Sequence, residues 1–182
     1  EGFTANELLG VSTNAVTARP KGIIDGNDYF FAGKAERIDL AHLEGLLAQG
    51  NIPVIPPLGF DREGNTYRLN SDDLAREVAV KLKASKLIYV TTHDGLVHNG
   101  EVIRQIPNGE LDQILDKEPS SLQPDQIAKA QNSATACRDG IPRVHLINGS
   151  VHEGLLAEVF SNTGIGTLVY ANEYRQIRQA KK

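Results

Sequence analysis

The sequence predicts an α/β fold with a mostly parallel sheet. Short apolar runs of strand length alternate with longer segments of helical periodicity. Two of these runs, residues 87–90 (LIYV) and residues 143–147 (RVHLI), have the pattern of buried strands, and each follows a helical segment. Strand, helix and strand in succession is typical of a βαβ unit with a right-handed crossover. We expect one such unit across residues 52–90.

Turn and capping residues separate the elements expected in the first third of the chain. Pro20 ends a β-prone segment, and Asp25-Gly26-Asn27 is a hairpin signal. Asp39 is a favourable N-cap and Gly50 a favourable stop on either side of a leucine-rich helical pattern. The expected elements are a short helix or frayed segment at residues 1–12, a strand at 14–19, a hairpin with strands at 23–24 and 29–32, and a helix at 40–48.

The middle of the chain contains a corner at which a polar strand end leads into a helix. Three prolines in residues 52–58 (IPVIPPL) predict that the end of this strand leaves the sheet, because proline cannot donate to the ladder. A polar turn at residues 61–65 precedes a returning strand at 66–69, and Asn70 or Ser71 then begins a helix. Such corners are where α/β proteins bind anionic ligands.

The same signals define the remaining elements. Pro124 lies at the first turn of a helical pattern that ends near Gly140. Gly164-Ile165-Gly166-Thr167 precedes a strand rather than a helix, which favours a tight turn over a phosphate-binding loop. The expected elements are a strand at residues 87–90, a loop and hairpin at 93–100, an edge strand at 101–106, a short helix at 110–115, a linker-like segment at 118–123, a helix at 124–140, a strand at 143–147, a helix at 154–160, a strand at 167–170 and a polar helical tail at 172–182.

Composition excludes several classes of protein. The 182 residues carry a formal net charge of −4, whereas non-specific nucleic-acid binding needs a basic surface. No apolar run approaches the length of a membrane span. The single Cys137 cannot form an internal disulfide, which fits the cytoplasm, and its place in a helical stripe indicates packing. The five histidines lack metal-ligand spacing, so we expect no metal site, and His145 fits a satisfied core histidine.

Asn70, Asp72 and Asp73 are the best candidates for a ligand site. In one interpretation Asn70 donates to a ligand and Asp72 orients a cation or a lysine; in the other, these residues only cap the helix and favour its positive dipole end. Lys129 would stabilise a phosphate only if it lies near Asp72, because a helical lysine is ordinarily solvated. Arg19 would bind an anionic ligand if it lies near one, although an exposed arginine is the commoner case.

Several sequence blocks occur in the order found in a known family. They are NAVTARP (14–20), PVIPPLGFDREGNTYRLNSDDLA (53–75), KASKLIYVT (83–91), CRDGIPRVHLI (137–147) and LLAEVFSNTGIGTLV (155–169). From about Asn14 onward the chain resembles the amino-acid kinase family, in particular its acetylglutamate kinase-like branch. The resemblance implies a three-layer αβα sandwich with a mainly parallel sheet. It also implies that the chain begins partway into the N-terminal lobe, so that the domain is incomplete at its N-terminus.

The resemblance assigns roles to individual residues. Asn70 matches an asparagine that faces the substrate, and Asp72 an aspartate that organises catalytic lysines. Lys129 matches the lysine that stabilises the transferring phosphoryl group, so Asp72 and Lys129 would be catalytic in an active kinase. Arg68 replaces a substrate-binding asparagine, and Thr92 an aspartate near the ATP ribose and adenine. The expected substrate-binding residues are Arg19, Arg68 and Asn70. The replacements at Arg68 and Thr92 weaken the expectation of ATP binding.

The family also has arginine-sensitive members, in which L-arginine inhibits by binding near the C-terminal glycine turn. Glu158, Gly164 and Gly166 match that pattern. The family histidine upstream of the glutamate is displaced by one position, at His152. The family site also uses an N-terminal helix that we do not expect in this chain.

Three hypotheses follow from the resemblance. In the first, residues 1–171 are the kinase-like, arginine-sensing part of an N-acetylglutamate synthase, and residues 172–182 connect to an acetyltransferase domain. Such synthases form N-acetyl-L-glutamate from acetyl-CoA and L-glutamate in the first step of arginine biosynthesis. The corner CRDG (137–140) and the segment GNDYFFAGKAERID (26–39) favour this reading. The isolated piece would then be inactive and would bind no cofactor of its own.

The other two hypotheses concern the same ligands. The chain could be part of an acetylglutamate kinase, which uses ATP with Mg²⁺ to phosphorylate N-acetyl-L-glutamate. Alternatively, it could be a non-catalytic ligand-binding or assembly module. The expected partners are N-acetyl-L-glutamate or glutamate, L-arginine as an inhibitor, and further copies of the chain in a homo-oligomer; neither nucleic acid nor a membrane is expected.

Overall fold

The chain divides into two units at Leu82 and Lys83 in a computed structural model that describes residues 9–160 and 164–171. The first unit contains β1 (Gly10–Ser12), β2 (Val16–Pro20), β3 (Ile23–Ile24), β4 (Asn27–Asp28), β5 (Gly33–Ile38), α1 (Leu40–Ala48), β6 (Ile52–Val54), β7 (Leu58–Phe60), β8 (Thr66–Arg68) and α2 (Ser71–Lys81). The second unit contains β9 (Leu87–Thr91), β10 (Val97–His98), β11 (Glu101–Val102), β12 (Gln105–Pro107), α3 (Asn108–Lys117), α4 (Ile127–Arg138), β13 (Arg143–Asn148), α5 (Gly154–Phe160) and β14 (Thr167–Tyr170).

The first unit is built on a four-stranded sheet in the order β5-β2-β7-β8. Strand β2 pairs in parallel with β7 and antiparallel with β5, while β7 and β8 form an antiparallel hairpin. A separate parallel pair joins β1 to β6, and a small antiparallel pair joins β3 to β4. The core includes Val16, Ala18, Ile38, Leu43, Leu69 and Leu74.

The second unit is built on a four-stranded sheet in the order β12-β14-β13-β9. The pairs β12–β14 and β13–β9 are parallel, and β13–β14 is antiparallel. Helices α3 and α4 contact each other, and α4 also contacts β13 and β14. The fully buried side chains include Leu96, Leu111, Ile141, Val144, Leu146, Ile147 and Val169.

Two predicted helix starts are confirmed by their caps. The side chain of Asp39 accepts a hydrogen bond from the His42 amide at 3.1 Å, at the start of α1. Asn70 Oδ1 accepts from the amides of Asp72 and Asp73 at 2.9 and 3.0 Å, at the start of α2. A cap satisfies amides that have no partner within the helix, so a residue of the right type fixes the boundary locally.

Several predicted strands have different bounds. Residues 10–12 form β1 instead of a helix, and the hairpin after β3 returns through β4 rather than through residues 29–32. The segment 52–58 divides into β6 and the start of β7, which pair in different sheets, and the segment 101–106 divides into β11 and β12. The first division confirms the expectation that the prolines make the end of this strand leave its sheet. In the second case, a bend at residue 104 separates the two strands, which the hydrophobic pattern does not reveal. Strand β5, with its charged sequence GKAERI, was not predicted.

The expectation of a βαβ unit across residues 52–90 was wrong, although the α/β fold class is confirmed. Helix α2 lies between β8 and β9 in the sequence, but these strands belong to different sheets. The division between the units falls just after α2. A strand–helix–strand pattern predicts the element types, whereas the sheet that each strand joins depends on distant residues.

The remaining expectations concern residues near the chain ends and membranes. Residues 1–8 and the connector expected at 172–182 lie outside the described residues. No helix in the described part of the chain is both long and apolar enough to cross a bilayer.

Candidate functional site

A cavity of about 430 Å³ lies in the first unit, where β8 ends and α2 begins. It contains two of the predicted substrate-binding residues, Arg68 and Asn70. A volume of this size is within the range of small-molecule sites. Its lining consists of Lys21, Ala32, Pro57, Arg68, Leu69, Asn70 and Ser71.

Backbone hydrogen bonds build one wall of this cavity. The Arg68 amide donates to the carbonyl oxygen of Phe31 at 2.8 Å. The Lys21 amide donates to the carbonyl oxygen of Ala32, also at 2.8 Å. Because Phe31 and Ala32 are adjacent, the two bonds bring two cationic residues that are far apart in sequence to the same short segment.

Asn70 has two potential roles in this cavity. Its side-chain oxygen already caps α2, so the carboxamide nitrogen is the group left to donate to a ligand. Asp72 is half-buried in the first turn of α2 and is not in the lining, and Arg19 lies exposed on β2, also outside it. The roles predicted for Asp72 and Arg19 therefore stay predictions.

Substitutions at Asn70 can separate capping from ligand binding. We expect Asn70→Ala to lower the free energy of unfolding by about 1 kcal/mol, because the amides of Asp72 and Asp73 lose their acceptor. Asn70→Ser should retain most of that stability, since serine is an equally favourable N-cap, but should lose the carboxamide donor. Urea denaturation measures the first effect and ligand titration the second. Equal stability losses in the two variants would contradict the capping role.

A second cavity, of about 370 Å³, lies in the second unit at the end of β9. His93 Nε2 and Asp125 Oδ2 are 2.7 Å apart at its edge. The buried Gln126 side chain accepts from the Val97 amide at 2.9 Å and donates to the Gly95 carbonyl oxygen at 2.8 Å, which fixes one wall. The lining consists of Val90, Thr91, Thr92, His93, Gly95, Asp125, Gln126, Lys129 and Leu146.

The second cavity is a poor fit for ATP with Mg²⁺. It offers one ammonium group, that of Lys129, which lies 5.8 Å from the centre of the Tyr89 ring. Its one carboxylate, Asp125, is within ion-pair distance of His93, and Thr92 carries no charge. Triphosphate binding relies on several donors and on carboxylates that hold the metal ion. We therefore derive no phosphoryl-transfer step from this cavity. The described ranges also contain no group of three or more metal-ligating side chains.

A buried carboxylate connects α5 to the glycine turn that precedes β14. Glu158 Oε2 accepts from the amides of Ile165 and Gly166 at 2.6 and 2.9 Å, and Oε1 lies 2.7 Å from His145 Nδ1. The side chains of Glu158 and His145 are only 3% and 7% exposed. We call these four residues, Glu158, His145, Ile165 and Gly166, the Glu158 bracket.

The electrostatics of the bracket favour an ionised carboxylate. Burial would raise the pKa of Glu158, but the hydrogen bonds from His145, Gly166 and Ile165, together with the charge of His145, hold that pKa below its ordinary value of 4.5. The glycine turn also needs its small residues. Gly164 has φ of +60°, and a Cβ there would lie 2.9 Å from Glu158 Oε2.

The structure brings together three of the four residues predicted to bind arginine. Glu158, Gly164 and Gly166 meet in or beside the bracket, whereas His152 is exposed in the turn before α5. The histidine that contacts the Glu158 carboxylate is His145, which lies on β13. Its Nδ1 is satisfied as expected for a core histidine, but its buried Nε2 has no hydrogen-bond partner within residues 9–160 and 164–171. No local sequence signal joins His145 to Glu158, because a turn and part of a helix separate them.

The single cysteine does not contribute a reactive group. Burial, and to a lesser degree the charge of Asp112, raises the pKa of the Cys137 thiol to about 12. The thiol therefore remains protonated at neutral pH, which confirms the interpretation of Cys137 as a packing residue.

Comparison with known proteins places the chain in a family. Residues 1–148 match the family model described as "Amino acid kinase family". The chain belongs to the amino acid kinase family. This match confirms the resemblance that the sequence blocks indicated.

Two curated relatives illustrate the relation of this family member to known enzymes. It is 35% identical to an amino-acid acetyltransferase of Vibrio atlanticus over 186 residues, which covers 98% of this chain and 42% of that protein. It is 36% identical to an acetylglutamate kinase of Kosmotoga olearia over 142 residues, which covers 78% of this chain and 50% of that protein. The chain thus spans half or less of the length of these relatives.

Two crystal structures of one enzyme resemble this family member closely. They are of the N-acetylglutamate synthase from Neisseria gonorrhoeae, complexed with coenzyme A and either L-arginine or N-acetyl-glutamate. The TM-scores are 0.83 and 0.84, at 34% identity, and each match covers 90% of this chain and 38% of the other. The mixed α/β fold is thereby confirmed as that of the synthase and of the amino acid kinase family.

Proposed function

We propose that this chain is the kinase-like, arginine-sensing part of an N-acetylglutamate synthase. The complete enzyme would form N-acetyl-L-glutamate from acetyl-CoA and L-glutamate, in the cytoplasm and as a homo-oligomer. The observation that carries the proposal is the likeness, over nine-tenths of the chain, to a synthase bound to L-arginine. The match to an acetyltransferase along 98% of the chain supports it further.

The proposal divides the chemistry between this chain and the rest of the protein. Acetyl-CoA would supply the acetyl group, and we assign none of the described residues to it, because neither cavity has a feature specific for coenzyme A. Residues 172–182 would lead toward the acetyltransferase domain. The chain itself would bind amino-acid ligands and regulate the acetyl transfer.

The first-unit cavity is our candidate for N-acetyl-L-glutamate or glutamate. The Asn70 carboxamide nitrogen can donate to a carbonyl or carboxylate oxygen of the ligand, and Arg68 can donate in bidentate fashion to a carboxylate. Arg19 would contribute only if the ligand extends beyond the described lining. These contacts can bind an acylated amino acid without any phosphoryl transfer.

The Glu158 bracket is our candidate for the L-arginine response. A guanidinium group pairs well with a carboxylate, but both oxygens of Glu158 already accept hydrogen bonds from within the unit. Arginine binding would therefore have to loosen the contact with His145 or with the glycine turn. A ligand that binds one arrangement better than the other shifts the population between them, which is the physical basis of an effector response.

Thermal unfolding of the chain with candidate ligands tests the proposal. We expect stabilisation by L-arginine and by N-acetyl-L-glutamate, of about 2.7 kcal/mol when the free ligand reaches about 100 times its Kd. We expect no stabilisation by ATP with Mg²⁺. D-arginine and N-acetyl-D-glutamate are matched controls for non-specific salt effects. No response to either L-ligand would favour a non-catalytic assembly module instead.

Acetylglutamate kinase is the second candidate function. It is favoured by the kinase relative. The sequence resemblance, which matches Asn70, Asp72 and Lys129 to residues of active kinases, also favours it. Phosphorylation of N-acetyl-L-glutamate by the full-length protein, without acetyl transfer from acetyl-CoA, would establish this candidate and exclude the synthase.

A further inference from the structure

We propose that Lys21 is a specificity-determining residue of the first-unit cavity. With Arg68 it forms a pair of cations, here called the cation pair, that selects ligands with two anionic groups over ligands with one. This inference rests on the proposed function, because it concerns the cavity assigned to a glutamate-type ligand. Nothing in the sequence patterns pointed to Lys21.

The fold places both members of the cation pair with backbone contacts. Lys21 follows the last residue of β2, and its amide donates to Ala32. Arg68 ends β8, its amide donates to Phe31, and it forms a parallel bridge with Ala32. The two cationic residues thus flank one dipeptide, and both line the same cavity of about 430 Å³.

The charge of the cavity is not compensated locally. Besides the cation pair, the lining contains only neutral residues: Ala32, Pro57, Leu69, Asn70 and Ser71. Among the described residues, no carboxylate lies within ion-pair distance of Lys21 or Arg68. A concave surface with one sign of charge concentrates ligands of the opposite sign.

The Lys21 ammonium group has a defined environment. Its Nζ lies 5.5 Å from the centre of the Tyr29 ring, within the range of a cation–π contact. Lys21 is half-buried, whereas Arg68 is exposed. The aromatic face restrains the lysine without neutralising its charge, so the ammonium group remains available to an anion.

Two different cations favour two different anionic groups. A guanidinium group can bind one carboxylate through two parallel hydrogen bonds, whereas an ammonium group acts as a point charge. A ligand with a single carboxylate satisfies one of them and leaves the other unpaired. A dicarboxylate, such as an N-acylated acidic amino acid, satisfies both.

Calorimetric titration of the chain with three probes tests this inference. The probes are N-acetyl-L-glutamate, its monocarboxylate analogue N-acetyl-L-glutamine, and glutarate, a plain dicarboxylate. We expect the unsubstituted chain to bind N-acetyl-L-glutamate about tenfold or more tightly than N-acetyl-L-glutamine, as one charge-assisted hydrogen bond allows. Lys21→Met should abolish most of that preference by weakening only the dicarboxylates. Lys21→Arg should restore it.

Lys34→Met is the matched control. Lys34 is an exposed lysine on β5 and is not in the cavity lining, so the same substitution there should leave all three affinities unchanged. A thermal unfolding curve for each variant confirms that it is folded before titration.

The outcomes separate this inference from the proposed function. If N-acetyl-L-glutamate binds but Lys21→Met keeps the preference, the role of Lys21 is overturned and the proposed function stands. If glutarate binds in a Lys21-dependent manner while N-acetyl-L-glutamate does not, the cation pair is supported and the glutamate assignment fails. If no dicarboxylate binds, both are overturned.

Discussion

Replacement of Gly166 by alanine is expected to destabilise the second unit by about 3 kcal/mol or more, enough to unfold a marginally stable domain. A Cβ at this position would lie 2.0 Å from the carbonyl oxygen of Leu146 and 3.0 Å from its carbonyl carbon. These are backbone atoms of β13, whose register with β14 pairs Leu146 with Thr167. The strands can separate only by breaking their ladder. Urea denaturation, followed by circular dichroism, measures the loss.

Gly45→Ala is the matched control for this prediction. Gly45 lies inside α1 with open space around the position of a Cβ. The same substitution should therefore stabilise the chain by about 0.5–1 kcal/mol, because alanine is the better helix former. A Gly166→Ala variant with an unchanged denaturation midpoint would show that the approach of β14 to β13 is looser than described.

Replacement of Glu158 by alanine is expected to cost about 3 kcal/mol or more, because each buried donor that is left without its acceptor costs about 1–3 kcal/mol. The change leaves the Ile165 and Gly166 amides and His145 Nδ1 without their acceptor. Glu158→Gln retains an acceptor oxygen for the amides and should cost less. Urea denaturation of the two variants at pH 7 distinguishes the loss of charge from the loss of all acceptors.

The Glu158 bracket also predicts a pH dependence. The folded state holds the pKa of Glu158 below 4.5, so the unfolded chain binds the proton more readily. The contribution of Glu158 is therefore fully present above pH 4.5 and is lost as the pH falls through the lowered folded pKa. Between pH 7 and pH 3, the free energy of unfolding should fall less steeply in Glu158→Gln than in the unsubstituted chain. Glu101→Gln, at an exposed position on β11, should leave the slope unchanged.

The parts of the fold that were predictable depend on neighbouring residues. Asp39 and Asn70 mark the starts of α1 and α2 because each cap acts on amides two or three residues away. The hairpin β7–β8 was predictable for a similar reason. The Asp61 carboxylate accepts from the amides of Glu63 and Asn65 and so stabilises the turn between the strands.

The parts that were not predictable depend on distant residues. No local signal reveals that residues 52–54 pair with β1 while residues 58–60 pair with β2 and β8. Strand β5 was not predicted because its charged, exposed residues lack the hydrophobic pattern of a strand. It is a strand because it pairs with β2.

The candidate site shows the same division. Arg68 and Asn70 are two residues apart, and the corner that contains them was recognised from the sequence. Lys21 lies near Arg68 and Asn70 because its amide donates to the Ala32 carbonyl oxygen, a contact between residues far apart in the sequence. His145 contacts Glu158 only when β13 and α5 are packed together. The family resemblance predicted Glu158, Gly164 and Gly166 as residues of the arginine site. It also predicted His152, whereas the histidine that contacts the Glu158 carboxylate in the fold is His145.

The order of strands in the second unit has a consequence for how the chain folds during synthesis. Among the described residues, β14 is the last strand along the chain, yet in the sheet it lies between β12 and β13. Until Tyr170 has left the ribosome, β12 lacks its neighbour in the sheet, and the inner edge of β13 is unpaired. Such edges associate readily with other chains. The second unit therefore completes its sheet late and through long-range contacts, which slow folding because a long loop must close before each contact forms.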